Sequence, residues 1–373
     1  MARSPDRRQF LKRLLALSAA GTAFGVAGCT SQPDRPVALA PTASATPPPS
    51  ATPQASEVPS PLPSPTTTAT AVPTAAPTAR PTAIPSATLT ATAVPTATPS
   101  PTPVPPAMAV VRGGQPADAV RRAIAALGGI EKFVKQGADV IVKPNICNSY
   151  HGPEYASTTN PEVVATIVAL CLGAGARRVR VMDLPFAGVA PDAYVTSGIA
   201  EAVKAAGGEM ELMNPLKYRE LALPNGRNIK KWQVYGEVLD ADVLINVPIA
   251  KDHGAARLTL GMKNLMGVVR DRNGLHARGL HQCIADLNTG LRPQLTIVDA
   301  VRILMANGPT GGRLQDVKET KTIIASADPV AADAYATALF DMTAEDIGYI
   351  RLGAEMGLGQ ADLKAVPTEE IAL

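Results

Sequence analysis

The stretch Asp139-Val140-Ile141-Val142-Lys143-Pro144-Asn145 decides how this chain is read. Its apolar run is continuous and shows no polar alternation, so it reads as a strand covered on both faces, as in a parallel sheet. The run passes directly into Lys143, Pro144 and Asn145. The same design recurs outward from it. Val179–Met182 runs into Asp183, and Val243–Pro248 into Lys251-Asp252-His253. Leu295–Val298 runs into Asp299, and Ile323–Ala325 into Ser326 and Asp328.

Helical stretches separate these strands. Residues 117–134, 162–173, 192–206, 330–339 and 345–356 read as helices, with Val110-Val111 opening a first strand and residues 209–213 a short one. Asn160-Pro161 supplies an N-cap and a first-turn proline for the second helix. Pro224-Asn225-Gly226 marks the turn of a small hairpin that interrupts the alternation. Strand–helix alternation predicts an α/β fold, a mostly parallel sheet with helices on both faces.

The fold belongs to the last 267 residues, 107–373, of a 373-residue chain. Of 35 prolines, 21 fall between Pro33 and Pro106, in a stretch whose only charged residues are Asp34, Arg35, Glu57 and Arg80. That composition favours solvated, extended chain and cannot build a core. Residues 29–106 therefore read as a disordered Pro/Thr/Ser/Ala stalk. Residues 1–28 read as a signal peptide: Arg7-Arg8 form a twin-arginine pattern, an apolar run follows, and Val26-Ala27-Gly28-Cys29 forms a lipobox. The expectation is export by the twin-arginine translocase, lipid on Cys29, and anchorage to the outer face of the cytoplasmic membrane. The formal net charge of +3 comes from this leader, and the remainder is close to neutral. No surplus of Lys and Arg is left to displace counterions, which argues against nucleic acid as a partner.

In open α/β sheets ligands bind beyond the carboxyl ends of the strands. Five polar strand exits therefore point to one candidate site. Lys143, Lys251 and Lys263 would make a cationic pocket for an anionic small molecule, with Asn145, Thr259 and Asn264 as further binding residues. Thr259 and Lys263 are four apart and would share a face if both were helical. His253 is the candidate acid/base with a near-normal pKa, and Lys251 and Asp299 are its catalytic companions. A mononuclear metal on His253, His281 and Asp328 is a further candidate, although no His-x-x-x-His spacing is present. Asn307-Gly308-Pro309-Thr310-Gly311-Gly312 is a glycine-rich turn that could offer N–H groups to an anion. Neither a Walker loop nor a G-x-G-x-x-G follows the first strand, so the familiar nucleotide sites are unsupported. Beyond Cys29 only Cys147, Cys171 and Cys283 remain, without a Cys-x-x-Cys pair. That argues against an iron–sulfur cluster.

Val142-Lys143-Pro144-Asn145, Asn160-Pro161-Glu162-Val163-Val164, and Lys251-Asp252-His253 followed by Thr259, Lys263-Asn264 and Gly267 resemble the family known as domain of unknown function 362. Asp299, Gly308-Pro309 and Asp328-Pro329-Val330 with Asp333 fit its later blocks. The resemblance spans roughly residues 138–358. Some relatives carry fused ferredoxin-type Cys motifs, which this chain lacks. A more distant similarity to the lactate racemase group implies a Lys/His site with a nickel-pincer cofactor. These readings together predict an enzyme acting on an anionic small molecule. An anionic-solute receptor, an iron–sulfur or redox-associated protein, and a purely structural wall protein are the alternatives.

Overall fold

The computed structural model describes residues 105–373. Residues 1–104, which hold the expected signal peptide, Cys29 and all of the expected stalk except Pro105 and Pro106, lie outside the described residues. The strands are β1 (Met108–Arg112), β2 (Asp139–Pro144), β3 (Arg178–Val181), β4 (Glu209–Met210), β5 (Tyr218–Ala222), β6 (Lys231–Tyr235), β7 (Val243–Val247), β8 (Ile249–His253), β9 (Arg257–Thr259), β10 (Leu295–Leu304), β11 (Val317–Ser326) and β12 (Thr368–Ala372). The helices are α1 (Pro116–Ala126), α2 (Pro161–Gly173), α3 (Ala190–Thr196), α4 (Ile199–Ala205), α5 (Gly236–Asp240), α6 (Gly261–Asn264), α7 (Arg272–Ala277), α8 (Leu280–Gly290), α9 (Pro329–Thr337) and α10 (Gly348–Glu355).

The main sheet has the order β12-β1-β11-β10-β7-β2-β3-β4, and β8 pairs with β10 and with β9. From β10 through β7, β2 and β3 to β4 every neighbour is parallel. β11 is antiparallel to both β1 and β10. β5 and β6 form the separate small hairpin. The chain is thus the expected α/β protein with a largely parallel, mixed sheet. All six residues of β2 are buried. Successive side chains point to opposite faces: Ile141 packs in one core with Leu265, Ile284 and Tyr349. Val140 and Val142 pack in the other, with Ile124, Val164 and Ile167.

Three local expectations are corrected. α1 stops at Ala126 because Gly128 and Gly129 both take positive φ. The segment 192–206 is two helices, α3 and α4, broken at Gly198 with φ 71°. The third correction bears on the site. β11 runs against β10, with Ser326 beside Thr296. Its exit therefore lies at the amino edge of the parallel strands, opposite the exits of β2 and β3.

Candidate functional site

A cavity of about 550 Å³ opens at the carboxyl edge, walled by the exits of β2 and β3, by β8, β9 and α6, and by the turn at Gly308-Pro309. The hairpin β8–β9 sets Lys251 opposite Thr259. One residue later the chain turns into α6, which carries Lys263 and Asn264. Thr259 is thus on a strand and does not share a helix with Lys263, although both line the cavity.

The three lysines differ in what holds them. Lys143 Nζ donates to Asp183 Oδ1 at 2.6 Å, to the Pro144 carbonyl at 2.7 Å and to Asn264 Oδ1 at 3.3 Å. Burial pushes the Lys143 amine down and the Asp183 carboxyl up, and their contact opposes both shifts. Lys251 Nζ donates to Asn145 Oδ1 at 3.0 Å and to the carbonyls of Ser157 at 2.6 Å and Pro309 at 2.9 Å. An ammonium has three N–H bonds, so each of these two is saturated. Lys263 lines the same cavity and is partly buried, and its amine has no hydrogen bond to any described residue. Burial first, then the charges of Lys251, Arg272 and Lys143, hold it down to about 7, while Cys147 works the other way.

Asn145 and Asn264 are struts of this wall. The Asn145 amide nitrogen donates to Asn264 Oδ1 at 2.9 Å, and Asn264 Nδ2 donates to Asn246 Oδ1 at 2.8 Å. Gly267 leaves room for the Lys143–Asp183 pair: a Cβ there would lie 1.9 Å from Asp183 Oδ1 and 2.5 Å from Lys143 Nζ. α6 itself is pinned by Asp333, whose buried carboxylate accepts from Gly261 N at 2.6 Å and Met262 N at 2.8 Å.

His253 also lines the cavity, but the expectation of a near-normal pKa is corrected. Burial, followed by Lys263, Lys251 and His276, holds its imidazole down to about 3. The backbone N–H groups of Ala255 and Ala256 donate to Nδ1 at 3.1 and 3.2 Å. Nδ1 is therefore the acceptor nitrogen, and the single ring proton sits on Nε2. His253 is a neutral hydrogen-bond donor and not a proton-accepting base at neutral pH. His276, 6.5 Å from it between ring centroids, is likewise held below its ordinary value by burial.

Asp299 is corrected as a catalytic residue. It is buried outside the cavity lining and accepts from Asn160 N at 2.7 Å and Val301 N at 3.0 Å, holding the entry to α2. Lys251 lines the cavity as a fixed cation. The proposed metal set is not assembled. Asp328 caps α9 through Val330 N and Ala331 N, and His281 lies in α8 stacked on Tyr349. Among the described residues no group of three His, Cys, Asp or Glu side chains converges as a donor set. A resident metal or metal-bearing cofactor on His253, His281 and Asp328 does not fit this arrangement. The glycine-rich turn spends an N–H on a carboxylate of the chain itself and faces the cavity with a carbonyl. Gly308 N donates to Asp252 Oδ2, and Pro309 presents its carbonyl to Lys251 and to the Cys147 thiol. Cys147 thus lies at the site, whereas Cys171 is buried in the core.

From the sequence Arg272 and His276 carry no assigned site role, and Asp183 is marked only as a polar strand exit. Arg272 donates to the carbonyls of Leu184 and Pro185, which brings its guanidinium to the cavity wall with N–H groups to spare. Its only sequence signal is a position five residues beyond Gly267.

Fold and cavity together define an α/β protein with a lysine-lined site at the carboxyl edge of its sheet. Residues 140–338 match the family described as Domain of unknown function (DUF362), and the chain belongs to that family. A thylakoid-associated protein of Synechocystis is 28% identical over 253 residues, 64% of this chain and 74% of that protein. Among solved structures, the lactate racemase apoprotein of Thermoanaerobacterium thermosaccharolyticum aligns with TM-score 0.38 and 12% identity, over 62% of this chain and 56% of the racemase. A Thermotoga maritima protein aligns with TM-score 0.35 and 10% identity, over 61% and 60%. The chain thus spans less than two thirds of either solved structure.

Proposed function

We propose that this protein is an extracytoplasmic, lipid-anchored enzyme that acts on an anionic small molecule in the cavity. The observation that carries the reading is the contrast among the lysines. Lys143 and Lys251 are locked by three acceptors each, and Lys263 alone presents a free amine to the cavity. The locked ammonium of Lys251 and the guanidinium of Arg272 supply a positive field that favours a carboxylate or phosphate, while Lys143 lies behind the wall with its charge met by Asp183. His253 Nε2–H is a neutral donor toward the bound molecule. Lys263 exists in both protonation states near pH 7, and it carries the chemical step.

Residence at the membrane is part of the proposal. It is supported by the twin-arginine pattern and the lipobox at Cys29, and by a relative whose name records thylakoid association. Among the described residues no helix is long and apolar enough to cross a membrane. Anchorage would then rest on lipid, and Cys29→Ala should move the protein from the membrane fraction to the soluble one. The catalytic reading is tested by calorimetry with lactate and inorganic phosphate, alongside a turnover screen of small carboxylates. Lys263→Met should abolish turnover. If it only changes affinity and no carboxylate is ever turned over, the protein is a receptor.

A further inference from the structure

We propose that Lys263 forms a covalent imine with the carbonyl carbon of a small 2-oxo carboxylate. This deepens the reading above and rests on it. An amine reacts with a carbonyl only through its lone pair, so the useful lysine is one that is unprotonated, unpaired and open to the ligand. Lys143 and Lys251 fail on the second condition, since their N–H groups are all engaged. Lys263 meets all three. It lines the cavity, no described residue accepts from its amine, and its neighbours Lys251, Arg272 and Lys143 disfavour the charged form.

The rest of the wall selects the ligand. The wall sets the cations Lys251 and Arg272 beside two carboxylates, Asp183 paired with Lys143 and Asp271 capping α7, so a ligand anion meets Arg272 and the carbonyl sits close to that anion. Arg272 keeps N–H groups beyond those given to Leu184 and Pro185. With the Nε2–H of His253 they can hold a carboxylate. Thr259 Oγ1 is buried at the cavity and has no partner among the described residues. It is a hydroxyl available to the oxygen of an addition intermediate, and an unmet buried hydroxyl is costly. His253 accepts no proton at neutral pH, so activation through the amine is the route the residues favour over imidazole base catalysis.

The step balances without an oxidant or reductant. The Lys263 lone pair bonds to the carbonyl carbon as the C=O π pair moves to oxygen. One proton passes from nitrogen to that oxygen. The hydroxyl then leaves as water with a proton from solvent, and nitrogen's electron pair forms the iminium C=N bond. One water is released for each imine.

The test uses the full chain with pyruvate and sodium cyanoborohydride, followed by peptide mass mapping, and calorimetry with lactate, which has no carbonyl to attack. Reduced pyruvate on the Lys263 peptide, exceeding every other lysine by about tenfold or more at pH 7, supports the proposal, because ordinary lysines are almost wholly protonated there. Lys263→Arg should lose the adduct and still bind lactate; Lys263→Gln, checked for folding by circular dichroism, should lose it as well. Labelling spread evenly over the lysines overturns the imine, as does no adduct in a protein that binds both anions, and either result leaves the anion site standing. Binding of neither anion overturns both readings.

Discussion

Replacing Lys263 by Met removes an amine that the fold holds against its own charge, and the protein should become more stable. The ordinary lysine value is 10.5 and the cavity lowers this one to about 7. A separation of about 3.5 units at about 1.36 kcal/mol each sets an upper bound near 5 kcal/mol for keeping the ammonium folded. The cavity mouth admits water, which screens the charge, so about 2–3 kcal/mol is expected. The charged and titratable groups around Lys263 are the ammonium of Lys251, the guanidinium of Arg272, the Cys147 thiol, the imidazoles of His253 and His276, the carboxylate of Asp271, and Asp183 paired with the buried Lys143 behind it. Because the folded value lies below the unfolded one, the unfolded chain binds this proton more readily. Wild-type stability is therefore lost as pH falls from about 10.5 to about 7, and the loss is complete below that. Urea unfolding of the full chain and of Lys263→Met at pH 6, 8 and 10 measures the difference. The variant should lead by about 2–3 kcal/mol at pH 6, with the gap closing as pH rises. A gap independent of pH, or a variant less stable at pH 6, would refute the claim that Lys263 is a free and disfavoured cation.

Three further outcomes follow from the same wall. Gly267→Ala places a Cβ 1.9 Å from Asp183 Oδ1 and should cost about 3 kcal/mol or more in urea unfolding, through displacement of the Lys143–Asp183 pair. In nitrogen-detected NMR, His253 should keep a neutral pattern with its proton on Nε2 from pH 5 to 8; an imidazolium signal in that range would contradict the assignment. Asp333, raised by burial to about 7, favours folding in its protonated form; that contribution is complete below about pH 4 and is lost as pH rises through 7. Asp333→Asn should remove up to about 4 kcal/mol of that slope, and subtracting one chain's curve from the other's cancels the opposite trend of His253.

How much of this could be read from the residues depends on the kind of contact involved. The continuous run Val140-Ile141-Val142 announces a strand covered on both faces, and the described sheet agrees. Asn160-Pro161 announces the start of α2, and the Asn160 side chain does accept from Glu162 N. Asp328 misled because a polar strand exit carries no direction. The available signal was the connection: residues 305–316 between β10 and β11 hold no α-helix, whereas a parallel neighbour needs a crossover that is usually helical. The free lysine was beyond reach for a different reason. Lys143, Lys251 and Lys263 look alike in the sequence, and what separates them is the reach of distant acceptors. Ser157 and Pro309, 94 and 58 residues from Lys251, engage it through backbone carbonyls that any residue type would supply. Side-chain identity therefore marks where cations gather, and backbone placement decides which of them keeps its amine unpaired. In this fold that is Lys263, because α6 is pinned by Asp333 with Lys263 at the cavity, where none of the described carbonyls accepts from its amine.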